Sequence, residues 1–449
     1  MVHYDNLGGD FMVTVQDIAT PRLQNYLEFM RDPIAFFTRV QPIGDVISLK
    51  TGISPTFVVN SPEAIREILI RQDQSFIKGR TTTVLQRTVG EGLLTTEGER
   101  HATQRKYIQP AFYKDALERY AHAIIDETEK LGERLEHEQE VDMHTVMMRL
   151  TLSIITRTMF STNVLEEEKE LADAVTTTIE QSVKILFSPV MIPASVPTKA
   201  NLKHKEAIQT LEAMIDDVLM VAKDHPEWFE DSLLGMMMAV TDENGNRLRD
   251  REVRDQMMTM LLAGHETTAN LLGWLFAEIA SHPEVERRLI DELETAELIG
   301  NPFNWMRELP YTQQIIEEGL RLYPPAWLIY RELDQPVEMF GRSFKEGSTF
   351  MICPYAVHRN EEVFPNPSAF DPERFATGNK YAPFSYFPFG GGSRSCIGSR
   401  FAMLEATLIL TVLYKKFLFH NVRLQAPVPE PLISLRIKDG WPMKVEKRG

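Results

Sequence analysis

A glycine-rich loop that carries a cysteine and leads into an apolar helix constrains this chain more than any other stretch. The loop spans Phe387 to Gly398, reads FPFGGGSRSCIG, and contains one of only two cysteines among 449 residues. Glycine allows positive φ angles and close approach of the backbone to a bound group. The run from Phe401 to Leu413 is apolar at helical spacing, which places Cys396 on a tight loop at a helix N-terminus. That position and the nearby Arg394 both favour the thiolate over the thiol.

For an isolated cysteine, a buried thiol in a glycine-rich turn is the simpler interpretation. Here the spacing matches F-x-x-G-x-R-x-C-x-G at every fixed position from Phe389 to Gly398. This pattern resembles the haem-binding loop of the cytochrome P-450 family. The resemblance implies that Cys396 is the axial ligand of the iron of haem b (iron protoporphyrin IX). It also implies that Phe389, Arg394 and Gly398 contact the cofactor.

A second stretch, 257–280, is apolar on nearly all faces, which predicts a buried helix. Its middle reads AGHETT over residues 263–268, and polar groups in a buried helix are costly unless they serve a purpose. The zinc-protease pattern H-E-x-x-H fails here, because Ala269 occupies its last position. The run instead resembles the family's oxygen-binding motif A-G-x-E-T-T. The resemblance implies that Thr267 hydrogen-bonds to dioxygen and that Glu266 relays protons, as the catalytic pair.

Two more motifs occur in the family's order. Glu318 and Arg321 form an E-x-x-R pair, which on its own is typical of an exposed ion pair. The P-E-R-F run contains Arg374. The resemblance implies that these three charged residues form a buried cluster that serves folding and not chemistry.

The resemblance also implies cations that bind the haem propionates. His101 and Arg105 lie four residues apart on a predicted helix and therefore share one face. The family often has tryptophan where this chain has His101, and histidine also donates to carboxylates. Arg331 lies where the family places another propionate-binding arginine. The second cysteine, Cys353, lies in an apolar run and is predicted to be an inert core thiol.

The pattern of helices and strands predicts a mainly α fold with a small β-rich part, as a single domain over 1–449 that encloses a haem. One helix is expected over 21–40, a strand pair at 45–49 and 56–59, and a long loop over 76–97. The segment 186–197 holds three prolines and cannot be a regular helix. From the residues it is interpreted as a buried connection, an apolar lid over a substrate channel, or a patch that touches a membrane surface, and the family resemblance favours the lid. The remaining predictions are a turn at 242–245, helices from Pro283 and over 311–323, and strands at 326–330, 337–340 and 349–353.

Composition limits the cellular context and the partners. Two cysteines cannot build a disulfide framework, which favours a reducing cytoplasmic location. No apolar run approaches the ~18 residues that span a bilayer, so no transmembrane anchor is expected. The net charge of −16 argues against nucleic acid as a partner. The chain has no flavin or nicotinamide fingerprint, so electrons are expected from a separate ferredoxin or flavodoxin with its NAD(P)H-dependent reductase. Cations that could dock such an acidic partner are Arg100, Lys106, Lys114, Arg400, Lys415 and Lys416.

The implied activity is haem-thiolate monooxygenation, that is, hydroxylation of a lipophilic substrate by O2. The suggested substrates are fatty acids or terpenoid and carotenoid-like molecules. Two alternatives remain: a peroxide-driven peroxygenase of the same fold, and a haem-thiolate sensor or binding protein without turnover. Retention of the acid–threonine pair counts against the first, and substrate-dependent NAD(P)H consumption would exclude the second. The tentative substrate-pocket residues are Leu85, Ala263, Ala326, Trp327 and Leu328.

Overall fold

Helices make up most of the described chain, which in this computed structural model comprises residues 13–49, 54–161, 168–186, 192–241, 247–379 and 381–448. The mainly α fold with a small β-rich part is as predicted. None of the described helices is long and apolar enough to cross a membrane. The α-helices are α1 (Arg22–Arg31), α2 (Pro33–Val40), α3 (Pro62–Arg66), α4 (Arg80–Val89), α5 (Gly98–Ile108), α6 (Lys114–Arg134), α7 (Met143–Phe160), α8 (Glu168–Leu186), α9 (Lys199–Asp224), α10 (Leu233–Ala239), α11 (Asp250–Ser281), α12 (Pro283–Thr295), α13 (Pro310–Leu322), α14 (Pro354–Val357) and α15 (Ser399–Lys416).

The strands are short and fall into several sheets. They are β1 (Val15–Asp17), β2 (Val46–Leu49), β3 (Thr56–Val59), β4 (Phe76–Ile77), β5 (Glu140–Asp142), β6 (Ile329–Leu333), β7 (Val337–Met339), β8 (Arg342–Phe344), β9 (Thr349–Ile352), β10 (Phe417–Asn421), β11 (Pro429–Pro431), β12 (Leu435–Ile437) and β13 (Pro442–Lys447). The chain divides into two compact units. The first consists of Met1–Gly79, Leu328–Pro367 and Tyr381–Arg394, and the second of Arg80–Trp327, Ser368–Lys380 and Ser395–Gly449.

The first unit is built on a six-stranded mixed sheet in the order β1-β2-β3-β9-β6-β4. The predicted strand pair is confirmed: β2 and β3 are antiparallel, with Val46 opposite Val59. Aromatic rings fill the core beneath the sheet. Phe57 stacks on Phe350 with ring centroids 5.0 Å apart. Such pairs contribute beyond their buried area.

The second unit is organised around α11, which packs against α7, α9, α13 and α15. The predicted buried helix is confirmed and extends further at its N-terminal end. Burial on nearly all faces explains its composition, because its apolar side chains meet a different helix on each side. Two small antiparallel sheets, β10-β13-β5 and the β11–β12 hairpin, complete this unit.

The single helix predicted over 21–40 is wrong, because the chain breaks between α1 and α2. Asp32 caps α2 by accepting a hydrogen bond from the Ala35 amide at 2.9 Å, and Pro33 occupies its first position. Such an N-cap followed by proline starts a helix anew. The apolar face of α1 is also not a core face. Leu23 is 68% exposed and Leu27 is 56% exposed.

The long loop predicted over 76–97 is also wrong, because β4 and α4 occupy its first part. Its threonines have low helix propensity, which concealed α4 in the sequence. The strand predicted at 326–330 is shifted to Ile329–Leu333, and β8 was missed.

Two predicted segments lie partly or wholly beyond the described residues. In the 186–197 segment, 187–191 fall outside them, and the exposed side chains of Ile192 and Val196 do not fit a buried connection. The turn expected at 242–245 lies entirely outside the described residues.

Candidate active site

Cys396 and the middle of α11 line the same cavity of the second unit. Helices α7 and α11, the residues after α5 and the start of α15 supply its wall. The lining side chains are mostly apolar and include none that is charged. They are Ala111, Phe112, Tyr120, Ile155, Thr158, Met159, Leu233, Met260, Ala263, Gly264, Thr267, Thr268, Cys396, Ile397, Gly398, Phe401 and Ala402.

The Cys396 thiol is exposed towards this cavity, while protein surrounds the rest of the residue. Burial raises the pKa of the thiol, and the Gly398 amide and the charge of Arg105 lower it only in part. The helix N-terminus thus favours the thiolate, as predicted, but the cation that does so is Arg105 and not Arg394, and burial outweighs both. A bound metal cation would outweigh the desolvation and favour the thiolate of Cys396, since coordination deprotonates a thiol. By contrast, Cys353 is a buried core thiol, as predicted, and burial raises its pKa to about 12.

Arg105 reaches the loop immediately before Cys396. Its Nη1 donates to the Ser395 carbonyl oxygen at 2.8 Å, and its Nη2 lies 3.3 Å from Ser395 Oγ. His101 lies one turn earlier on α5 and is buried. The helix predicted for these two residues is confirmed, and their contact with haem propionates stays a prediction.

Three other predicted cofactor residues belong to the first unit. Arg331 on β6 is buried and donates from Nη1 to the Tyr330 carbonyl oxygen at 2.8 Å. Phe389 is half-buried, and Arg394 ends a short 3-10 turn. In the same loop Gly392 has φ +71°, and a Cβ there would lie 1.9 Å from the Leu69 carbonyl oxygen. This contact explains physically why the pattern requires glycine at that position.

Thr267 presents its hydroxyl to the cavity wall and donates to the Ala263 carbonyl oxygen at 3.1 Å. Gly264 packs against α7 so closely that a Cβ would lie 2.9 Å from Ile155 Cδ1. The small residues Ala263 and Gly264 therefore leave room beside Thr267. The hydroxyl of a threonine that bonds back to the preceding turn can exchange this backbone hydrogen bond for one to a bound ligand.

Glu266 points elsewhere. It lines a second cavity of the same unit, together with His265 and polar residues of α7 and α8. Ser434 donates to Glu266 Oε1 at 2.7 Å. Burial raises the pKa of Glu266, while Ser434, the charge of Arg436 and Asn270 lower it in part. Sequence reasoning missed Ser434, because an isolated serine near the C-terminus carries no periodic or motif signal.

Glu405 is a further residue that sequence reasoning missed. It is buried on α15, and neither carboxyl oxygen has a hydrogen-bond partner of ordinary geometry among the described residues. Burial raises its pKa to about 8, and the nearby hydroxyl of Thr268 opposes this only in part. Thr268 also lines the first cavity. The available signal was a single acid inside the apolar run from Phe401 to Leu413.

The predicted charged cluster is present. Arg321 Nε lies 2.6 Å from Glu318 Oε2, and both side chains are fully buried. Arg374 Nε lies 3.4 Å from the other oxygen of Glu318. The backbone amide of Asp371 also donates to Glu318, at 2.9 Å. The cluster thus joins α13 to the P-E-R-F turn, which fits the predicted folding role.

Of the tentative substrate-pocket residues, only Ala263 lines the cavity that contains Cys396. Trp327 is buried, and its indole N–H donates to the Leu432 carbonyl oxygen at 2.9 Å. Ala326 is exposed, Leu85 lies on α4, and Leu328 belongs to the first unit. Sequence reasoning missed several lining residues. They include Ile155, Thr158 and Met159 of α7 and Met260 of α11.

The cavity fits a porphyrin. Its lining combines a thiol at a helix N-terminus with apolar side chains and the small residues Ala263 and Gly264. A Cβ at Gly398 would lie 3.5 Å from the Phe112 ring, so glycine there leaves a gap beside the ring. A flat apolar group with one metal ion matches this donor set, because a cysteine thiolate is a known haem ligand. An apolar cavity lined by both a thiol and a threonine is typical of proteins that use a haem to activate oxygen.

Comparison with known proteins identifies the family. The cytochrome P450 family model matches residues 18–438, so the chain belongs to this family. Pentalenene oxygenase of Streptomyces avermitilis is 33% identical over 89% of both chains. Cyclooctat-9-en-7-ol 5-monooxygenase of Streptomyces melanosporofaciens is 31% identical over 89% of this chain and 88% of its own. The structure of retinoic acid-bound cyanobacterial CYP120A1 matches with a TM-score of 0.84 and 26% identity, over 97% of this chain and 99% of that one. The protein is thus a cytochrome P450 monooxygenase with haem b as its cofactor.

Proposed function

We propose that this monooxygenase hydroxylates a terpenoid, using electrons from a separate redox protein. The observation that carries the proposal is the largely apolar cavity that both Thr267 and Cys396 line. The apolar side chains of α7 and α11 on its wall suit a hydrocarbon skeleton. The relatives named for pentalenene and cyclooctat-9-en-7-ol act on substrates of this class.

In this proposal Cys396 ligates the iron as a thiolate. Haem b bound there supplies the hard chemistry, namely O2 activation and insertion of one oxygen atom into a C–H bond. The Gly398 amide and Arg105 stabilise the negative sulfur. The Thr267 hydroxyl holds a proton at the wall of the Cys396 cavity. Glu266, the residue before it, supplies protons from the second cavity. The apolar side chains of α7 and α11 exclude water and orient the substrate.

His101, Arg105, Arg331 and Arg394 are proposed to hold the two propionates of the haem. Guanidinium groups suit this role, because they donate in a fork that matches a carboxylate. For the electron donor we propose a ferredoxin or flavodoxin with an NAD(P)H-dependent reductase. A cytoplasmic location fits the two free thiols.

The test is a ligand titration of the purified ferric holoenzyme, monitored at the Soret band. The panel contains polycyclic terpene hydrocarbons, their monohydroxylated derivatives and fatty acids of equal carbon number. Terpenoids should displace the iron-bound water and give a spectral shift at low concentration, and a surrogate ferredoxin system should then give hydroxylated product. Tight binding of fatty acids with no response to any terpenoid would overturn the proposed substrate class.

A further inference from the structure

Glu266 stands at the end of a directional chain of hydrogen bonds. Ser434 Oγ donates to Glu266 Oε1 at 2.7 Å, and Asn270 Nδ2 donates to Ser434 Oγ at 2.8 Å. The amide of Asn270 then accepts on Oδ1 from His144 Nε2, 3.0 Å away. Each donor therefore points towards the carboxyl group. Hydrogen bonds in such a series polarise one another, and they favour the ionised form of the terminal acceptor.

The hairpin that carries Ser434 is held on both sides. Trp327 Nε1 donates to the Leu432 carbonyl oxygen at 2.9 Å, and Trp274 Nε1 lies 3.3 Å from the Leu435 carbonyl oxygen. The Leu435 amide donates in turn to the Pro325 carbonyl oxygen at 3.0 Å. The backbone on each side of Ser434 is therefore fixed, and its buried hydroxyl has a defined position against α11. Fixed supporting groups are what keep a functional side chain in one geometry.

The second cavity surrounds Glu266 with groups of both signs. Arg149 and Arg436 are the cations on its wall, and Asp173 and Glu180 are the other carboxylates. Its two histidines are His144, at the start of the hydrogen-bonded chain, and His265, which precedes Glu266 on α11. The charge of Arg436 lowers the pKa of Glu266, and no salt bridge joins Glu266 to a cation among the described residues. Neutral donors therefore hold this acid in place.

We propose that Ser434 is a positioning residue, which holds the Glu266 carboxyl group in the second cavity through hydrogen bonds that begin at His144 and pass through Asn270. The functional consequence of this positioning rests on the proposed function, in which Glu266 is the proton source. The position of the Glu266 carboxyl group does not depend on turnover. It assigns to the β11–β12 hairpin a part in setting the protonation of the acid next to Thr267.

The experiment follows the Glu266 carboxyl group by infrared difference spectroscopy of the ferric holoenzyme during a pH titration. Glu266→Gln identifies its band among the protonated carboxyl groups. In Ser434→Ala the midpoint of that band should rise by about one to two pH units, because a hydrogen bond to the charged form is lost. Ser434→Thr keeps a hydroxyl and should stay near the wild-type midpoint. Ser348→Ala removes a different buried hydroxyl, which has no hydrogen-bond partner in the described structure, and is the matched control.

An unchanged midpoint and band frequency in Ser434→Ala would overturn the proposal. Asn270→Ala provides a second variant should Ser434→Ala fold poorly, and a shift in the same direction is expected. The coupling, that is, the fraction of electrons recovered in hydroxylated product, distinguishes a failure of this inference from a failure of the proposed function. A shifted carboxyl band in Ser434→Ala, with coupling unchanged both in that variant and in Glu266→Gln, supports the positioning role and rejects Glu266 as the proton source.

Discussion

Glu266 and Thr267 are consecutive residues of α11, yet they line different cavities of the second unit. The Thr267 hydroxyl faces the cavity of Cys396, whereas the Glu266 carboxyl group lies in the second cavity, bonded to Ser434. The cause is helix geometry, because successive residues point about 100° apart. A proton that moves between them must therefore pass around the helix, through a side-chain rotation or water.

Thr267→Ala should leave the fold and haem content unchanged but disturb proton delivery. We expect NAD(P)H consumption to continue while peroxide replaces hydroxylated product, with product formed per electron falling by about tenfold or more. Measuring NAD(P)H, peroxide and product together checks this. Thr267→Ser retains the hydroxyl and should restore most of the coupling, and normal coupling in the alanine variant would remove Thr267 from the pathway.

The two cysteines allow a matched test of the axial ligand. With carbon monoxide, the reduced wild-type protein should show the red-shifted Soret band that a thiolate ligand produces. Cys396→Ser should lose this band, because no other thiol lines the cavity. Cys353→Ser should keep it, since that thiol is a buried core group. The reverse result would show that the cysteines have been assigned the wrong way round.

The features on which these predictions depend differ in how well the sequence predicts them. The Cys396 loop and α11 were predicted correctly because glycine spacing and sustained apolarity leave few alternatives. The break at Asp32 was missed because an apolar period continued across it. Ser434 and Glu405 could not be assigned roles, since each depends on a neighbour far along the chain. A sequence shows local periodicity well, but it does not show which helix or hairpin will cover a single polar residue.

The Glu405 carboxyl group should make stability depend on pH. Its folded pKa of about 8 lies above the ordinary value of 4.5, so the folded state keeps a proton that the unfolded state loses in this window. The unfolding free energy should therefore fall as pH rises from about 4.5 to about 8, by up to roughly 1.4 kcal/mol per pH unit from this group. Glu405→Gln should remove this dependence and exceed the wild type in stability at pH 8. Denaturant titrations of the holoenzyme at several pH values measure it, with the exposed Glu99→Gln as control.

The buried charge cluster should be essential for folding. Glu318→Ala leaves Arg321 and Arg374 without their shared carboxylate, at a cost of about 3–5 kcal/mol. The expected product is misfolded or haem-poor protein, measured by haem content and thermal melting. Glu63→Ala breaks an exposed pair with Arg71 and should cost at most about 1 kcal/mol. Equal melting of the two variants would contradict a structural role for the cluster.

We predict that docking of the electron donor depends on cations near the loop that precedes Cys396. Half of the six predicted cations are paired with nearby carboxylates. Arg100 lies 2.7 Å from Glu91, and Lys114 lies 3.3 Å from Glu118. Lys416 is similarly paired, at 3.7 Å from Glu129. These pairs reduce the positive potential that an acidic partner would meet.

Lys106 and Arg400 are exposed and have no ion-pair partner among the described residues. Lys106 follows Arg105, which bonds to Ser395, and Arg400 lies in the first turn of α15 after Cys396. Both therefore flank the loop that carries the thiol. Replacing both with glutamate should slow reduction by the redox partner about tenfold at low ionic strength and weaken its salt dependence, because steering between opposite charges is lost. Stopped-flow reduction at several ionic strengths tests this against Arg100→Glu, whose effect should be smaller. Equal rates and salt slopes in wild type and the double variant would place docking elsewhere.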